Sequence, residues 1–251
     1  MKITWDYSSL AKHYDKRVDY NAGLVNSVLK KLGLKSNMKV ADLGAGTGKL
    51  TKILQKKKIS INAIEPNKNM LRFGKKNAKN KNVIWTHAQS EKTKIKANSL
   101  DFCFFGSSFN VVDHDKTSRE INRILKLNGR VCLMYNHRIL SDQNQKNIEK
   151  IIFKNIPNYK YGTRRVSPKV LIGKKYKYLT KFKSYKKIFF KYMDTKDILT
   201  AWKSHGTLQK QAGNKFDKII LEIKNYLSLT KKKKLKVPYQ TVIYSCIKSK
   251  K

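Results

Sequence analysis

Long apolar runs are missing from this 251-residue sequence. None approaches the roughly 20 apolar residues that a membrane-spanning helix needs. Residues 1–16 mix charges with short apolar steps and show no apolar centre of a secretion signal. Together with a mean hydropathy of −0.60, these absences describe a cytoplasmic protein with no membrane contact. Cysteine is scarce too: Cys103, Cys132 and Cys246 are far apart, form no C-x-x-C pair and each sit in an apolar, strand-like segment. They read as small buried hydrophobes in a reducing compartment, which leaves no metal site to expect. Acidic residues number only 16 against 57 basic ones, giving a formal charge of +41. Such a field attracts any polyanion, in a salt-dependent way. Yet arginine, the better bidentate reader of phosphates and bases, occurs only eight times. The 49 lysines are scattered over nearly every expected helix and loop, and asparagine and isoleucine are abundant as well. That texture fits a solvated surface and a compositional bias better than a dedicated nucleic-acid footprint, and leaves non-specific polyanion binding as the expectation.

What is present suits one domain with an elaboration: the hydrophobic share is 40% and the aromatic share 10%. Apolar runs at 39–43, 60–65, 83–87, 100–105 and 129–136 predict strands covered on both faces. Helical spacing at 49–57, 67–77 and 117–125 falls between them. This alternation predicts an α/β, doubly wound, mostly parallel seven-stranded sheet with right-handed crossovers. An amphipathic helix at 19–32 precedes it, within an N-terminal lid of residues 1–35; the cofactor-binding core is 36–136. A cap insertion at 137–205 should hold a helix at 141–153, an irregular basic and aromatic stretch at 157–181, a strand at 186–193 and a helix at 195–205. A helix at 215–227 and a terminal strand at 237–247, opened by Pro238, complete residues 206–251. There is no internal repeat.

The most informative stretch is Asp42-Leu43-Gly44-Ala45-Gly46-Thr47-Gly48-Lys49, a buried strand running into three alternating glycines and then a helix. Glycine permits a tight turn and close approach of a ligand, while a helix start offers unpaired N–H groups. A dinucleotide turn needs glycine at 49 or 51, and a P-loop needs glycine at 43 with Ser or Thr at 50; Lys49, Thr51, Leu43 and Leu50 exclude both. Asp42 is unfavourable beside a pyrophosphate and suited to an ammonium group, so the ligand should be cationic or zwitterionic, as the amino-acid part of S-adenosylmethionine is. Glu65 stands nineteen residues beyond Gly46 at the end of the second strand, where a carboxylate can accept both ribose hydroxyls of an adenosine. A helix-initiating acid ahead of Asn67 is the plainer alternative.

On these residues the chain resembles the class I S-adenosylmethionine-dependent methyltransferases, above all the small-molecule branch of trans-aconitate-type and biotin-pathway carboxyl methyltransferases. Five motifs match in order: Tyr14 to Tyr20, Asp42 to Gly48, Glu65, Ala88-Gln89, and Glu120 to Arg130. The resemblance implies that Gly44, Gly46 and Gly48 pack against the methionine part, with Asp42 turned toward it, and that Glu65 holds the ribose. It implies that Ala88 and Gln89, beside His87, frame the adenine, that Gly106 and Ser107 lie beside the sulfonium, and that Tyr14 and Arg17 form a lid. Two features depart from the pattern: no histidine base stands at position 110, which is Asn110, and the turn before the fifth strand is Leu127-Asn128-Gly129.

For the acceptor, the candidates are His137 as base and Arg138 as a carboxylate clamp, at the end of the fifth strand. Arg164-Arg165, amid Tyr159, Tyr161 and Ser167, forms a candidate anion-binding cap, while Trp202 reads as packing and His205 as a helix C-terminal cap. The missing histidine favours a carboxylate or another easily ionised acceptor, which needs no base. The function expected is methyl transfer to O or N of a small molecule, giving S-adenosylhomocysteine as product. An RNA methyltransferase is the alternative that the charge suggests, although no Asp/Asn-Pro-Pro-aromatic signature follows the fourth strand. A binding protein without chemistry is the third reading. Oligomeric state leaves no mark in the sequence.

Overall fold

A computed structural model describes residues 11–14, 16–173 and 175–250, with the side chain of Arg164 among those left aside. Seven strands form one sheet in the order β3-β2-β1-β4-β5-β7-β6. They are β1 (Lys39–Leu43), β2 (Ser60–Glu65), β3 (Val83–His87), β4 (Leu100–Gly106), β5 (Leu125–Arg138), β6 (Leu179–Asp194) and β7 (Lys234–Lys248). β1 to β5 are parallel, and β7 pairs antiparallel with both β5 and β6. The doubly wound, mostly parallel sheet expected from the alternation is therefore the fold observed.

The helices are α1 (Ala11–Tyr14), α2 (Ala22–Lys31), α3 (Lys49–Leu54), α4 (Lys68–Asn77), α5 (His114–Ile124), α6 (Gln143–Asn155), α7 (Thr195–Lys203), α8 (Gly206–Ala212) and α9 (Phe216–Leu229). Their starts follow local chemistry. Asn21, Asn67, Asp113 and Asp142 each accept backbone N–H groups at the first turns of α2, α4, α5 and α6.

Strand pleat divides the core. Cys103, Phe105, Val131, Leu133 and Tyr135 join Ile121 and Ile124 of α5 on one face. Phe102, Phe104, Cys132 and Met134 join Val25, Leu29, Leu50 and Leu54 of α2 and α3 on the other. A third apolar cluster, with Ile148, Trp202, Leu208, Ile219 and Tyr239, ties α6 to α9 onto the β6–β7 pair.

Several boundaries differ from the sequence reading, each for a physical reason. β3 is an edge strand and none of its residues is buried, so only four of the five core strands are covered on both faces. β5 begins at Leu125, directly after α5, because Leu100 pairs with Leu125 beyond a bulge in the β4–β5 register. β6 begins at Leu179, so the segment 137–205 contributes a strand to the sheet itself. It is an edge strand in which five lysines are interspersed among apolar residues. Pro238 lies inside β7 rather than at its start, opposite Phe190, just beyond Arg138–Tyr239, the last pair with β5. There the ladder with β5 has ended, apart from the Ile139 N–H that donates to the Pro238 carbonyl at 3.4 Å, and a missing N–H is tolerated. The helix expected at 195–205 ends at Lys203, and His205 caps the following helix instead: its Nδ1 accepts the Leu208 N–H at 3.2 Å. None of the helices among the described residues is long and apolar enough to cross a membrane.

Candidate active site

Because β1 to β5 are parallel, their C-terminal ends share one edge of the sheet. β1 lies between β2 and β4, so the chain leaves that edge in opposite directions on its two sides, and a crevice opens there. Tyr14, Arg17, Asp42, Gly44, Gly46, Gly106, Ser107, His137 and Arg138 line this one cleft, together with Val18, Tyr20, Thr47, Lys49, Asn136 and Glu149. Gly48, Glu65, Ala88 and Gln89 are not in its wall.

The glycine turn is built as its spacing suggested. Gly44, Gly46 and Gly48 all have positive φ, and α3 starts directly after Gly48. At Gly44 the requirement is double. Its φ is +69°, and an added Cβ would lie 2.5 Å from the Ser108 Cβ. Ser108 is there because its hydroxyl donates to the Leu43 carbonyl at 2.6 Å, stitching β4 to the end of β1.

Asp42 is fully buried; Oδ2 accepts the Thr51 hydroxyl at 2.7 Å and Oδ1 has no partner. Burial pushes its carboxyl up to about 7, against the Thr51 hydrogen bond and helped by the charge of Glu65. The Thr47 hydroxyl oxygen is likewise buried and unpartnered. An orphaned carboxylate oxygen and a hydroxyl beside a glycine turn fit the ammonium and carboxylate of an amino acid.

Glu65 supports the same turn from below. Its Oε2 accepts the Gly46 N–H at 2.8 Å and its Oε1 accepts the Asn67 N–H at 2.9 Å. The carboxylate thus fixes the turn and the entry to α4, the place the helix-initiating reading gave it. Burial raises its pKa, with the two backbone N–H groups opposing. Ala88 is half-buried against the α5-side core, and Gln89 is exposed, closing a short turn with Lys92.

The segment before α2 lies along the cleft. Asn136 of β5 donates to the carbonyls of Val18 and Asp19 at 3.0 and 2.8 Å and accepts from the Thr241 hydroxyl. Thr241 in turn accepts the Asn21 N–H at 2.9 Å. Lys49, the residue that made the turn look like a near miss for a P-loop, pairs with Asp19 at 2.7 Å. The Tyr20 hydroxyl meets the Ser107 hydroxyl at 3.0 Å, and Ser107 holds a φ of +60°. A non-glycine residue in that region is strained, and such residues gather at functional sites. Arg17, expected as a lid residue, lies against the Tyr14 ring and donates to the hydroxyl and carbonyl of Ser204 just past α7.

At the far end of the cleft, His137 is buried and stacks on Tyr135. The Arg138 guanidinium lies 4.0 Å from the centre of the Trp202 ring, so Trp202 both packs in the third cluster and carries a cation on its face. Arg165 donates to the Arg138 carbonyl at 2.9 Å. Sequence reasoning missed Asn136, Ser108, Tyr20 and Glu149, whose roles depend on partners up to 118 residues away.

Comparison with known proteins agrees with this geometry. A family model described as a methyltransferase domain matches residues 41–133. The chain is 30% identical over 194 residues to an uncharacterized protein of Methanocaldococcus jannaschii, covering 75% of this chain and 73% of that one. It is 32% identical over 138 residues to the demethylmenaquinone methyltransferase of Staphylococcus aureus, and that match spans 51% of this chain and 57% of the relative. The chain thus matches little more than half the length of that relative. Among solved structures, a protein of Anaeromyxobacter dehalogenans described provisionally as a type II methyltransferase superposes with a TM-score of 0.65 at 12% identity, covering 93% and 97% of the two chains. Haemonchus contortus phosphoethanolamine N-methyltransferase 2, in complex with S-adenosyl-L-methionine, superposes with a TM-score of 0.54 at 15% identity, covering 97% of this chain and 57% of that one. At such identities the likeness is one of fold. The matched domain holds the glycine turn, β2, β3 and β4 whole and parts of β1 and β5, in a sheet of the order such domains share: the chain carries a methyltransferase domain of the class I S-adenosylmethionine-dependent kind.

Proposed function

We propose that the protein transfers a methyl group from S-adenosylmethionine to O or N of a small molecule held in the cleft, in the cytoplasm. The observation that carries this reading is the orphaned Asp42 carboxylate oxygen beside the glycine turn, an acceptor suited to the ammonium of the donor's amino-acid part. When bound, the donor supplies an electrophilic methyl carbon on a sulfonium, so the chain need only hold and align the partners. In this reading Gly44, Gly46, Gly48 and Thr47 cradle the methionine part, and Glu65 reaches the ribose with the lone pairs that Gly46 and Asn67 leave. Ala88 and Gln89 frame the adenine. Gly106 and Ser107 border the methyl group, with Tyr14, Tyr20 and Arg17 roofing it against water. The bound donor would give up its methyl carbon as the acceptor's lone pair forms the new C–O or C–N bond, and would keep the C–S pair on sulfur. Where the acceptor carries a proton, His137 takes it; an acceptor already ionised has none to lose. Arg138 positions the acceptor. Trans-aconitate-type and biotin-pathway chemistry, at a carboxylate, is one form of this reading.

Titration with S-adenosylmethionine tests it. One site per chain is expected, weakened about tenfold or more by Glu65→Ala, equivalent to roughly 1.4 kcal/mol. No binding at millimolar ligand would remove the reading, and an unchanged affinity in the variant would move the ribose site elsewhere. A metabolite extract incubated with isotope-labelled donor then identifies the acceptor. Label found on RNA in place of small molecules would instead favour an RNA methyltransferase, the reading that the +41 charge raises.

A further inference from the structure

The cleft extends well past its glycine turn. β5 is paired with Gly106 at Met134 and continues four residues to Arg138, about 13 Å at the rise of an extended strand. Around Arg138 gather Glu149 of α6, Tyr161, Arg165 and Trp202.

A census of polar groups at this end is lopsided. The Glu149 carboxylate accepts from Gln145 at 3.1 Å and from the Tyr161 hydroxyl, whose pKa is raised first by burial and then by that bond. His205 accepts a backbone N–H. What remains without a partner is all donor. The Trp202 indole N–H is buried with no acceptor. Arg138 rests on the Trp202 ring, and among the described residues no carboxylate lies within 4.0 Å of its guanidinium or that of Arg165. Burial lowers the Arg165 pKa, and the Arg138 charge adds to that while Tyr161 and Glu149 oppose it. Two guanidiniums are thus brought together, one bonded to the other's backbone carbonyl, with a buried N–H beside them.

We propose that Arg138, Arg165 and the Trp202 indole form an anion site that holds a carboxylate or phosphate of the acceptor as a handle, while a different atom of the same molecule is methylated. The inference rests on reading the cleft as an acceptor site and names the class of acceptor. Forked N–H donors match both anions. Two features separate handle from nucleophile. The site lies several residues beyond Gly106 and Ser107, and lone pairs drawn onto two guanidiniums are poorer nucleophiles than free ones.

Protein loaded with S-adenosylhomocysteine is titrated calorimetrically with inorganic phosphate and, separately, with malonate, at constant ionic strength. Lys187→Ala, which removes an exposed lysine of β6, is the control for diffuse surface charge. One saturable anion site per chain is expected, weakened about tenfold in Arg138→Met and in Arg165→Met and unchanged in the control. S-adenosylhomocysteine affinity in both variants shows that they are folded. Tighter phosphate identifies a phosphate-bearing acceptor, tighter malonate a carboxylate-bearing one. Absence of a saturable site, or equal anion affinity in the arginine variants and the control, overturns the inference while leaving the methyltransferase reading intact. Failure to bind S-adenosylhomocysteine at all brings down both.

Discussion

Asp42 ends β1 with one oxygen satisfied and the other buried alone, and its proton follows from that. With the folded-state value raised to about 7, the carboxyl is neutral in the folded protein at a pH where the unfolded chain has already ionised it. The folded state therefore binds more protons between about pH 4 and pH 7, and the stability of the free protein falls as pH rises through that window. An ammonium ligand needs the ionised form, so affinity runs the other way. We expect S-adenosylhomocysteine affinity to fall by about tenfold from pH 8 to pH 6, as a carboxylate titrating near 7 requires. In Asp42→Asn the profile should be flat and the binding weaker throughout. An equally steep profile in the variant would assign the titration to another group. The sequence showed the acid and the glycines because both are types that a turn or a charge demands locally. It could not show that Glu65 would spend its oxygens on Gly46 and Asn67, since a carboxylate at a strand end looks the same whether it faces ribose or backbone.

Among the elements, α4 shows how closely the turn is packed. Gly74 lies in the middle of α4, where glycine costs about 1 kcal/mol relative to alanine. A Cβ there would fall 2.3 Å from the Trp85 ring and 2.8 Å from the Gly46 carbonyl. Trp85 also closes over Gly48, so helix, ring and turn share one contact. Gly74→Ala should destabilise the fold by about 1–3 kcal/mol, the usual result of overpacking, and weaken S-adenosylhomocysteine binding in calorimetry. Full affinity in a merely destabilised variant would separate α4 from the turn. A glycine inside an otherwise helical run was the one available signal, and it passed unused. The strands were more legible. β1, β2 and β3 lie where their apolar runs placed them; in β1 and β2 near-continuous burial needs continuous apolar sequence, whereas β3 is an edge strand with no buried residue. β6 was found only in its second half, since its first half, with Lys181, Lys183 and Ser184 among few apolar residues, reads as surface.

At the scale of the molecule, the formal charge of +41 is spread through a fold whose active cleft uses few of its lysines. Like charges on one compact body repel, and salt screens them over about 10 Å at 0.1 M. The melting temperature should therefore rise with potassium chloride across the physiological range, independently of S-adenosylhomocysteine. A melting temperature that falls or stays level would show that the lysines are compensated in a way that the ion pairs seen among the described residues do not reveal. The parallel core was visible from alternation alone. The roof was not, because its contacts join residues near the start of the chain to residues near its end.

That roof has a consequence for how the molecule is made. Asn21 hangs from Thr241, and Thr241 also holds the Asn136 that carries Val18 and Asp19. A nascent chain that has not yet delivered β7 can build the glycine bend and the first five strands and can hang Val18 and Asp19 from Asn136, but it lacks the Thr241 that fixes Asn136 and Asn21. The roof over the cleft is therefore fastened by a strand that arrives about a hundred residues after the five it covers, so donor binding should tighten only once β7 has paired.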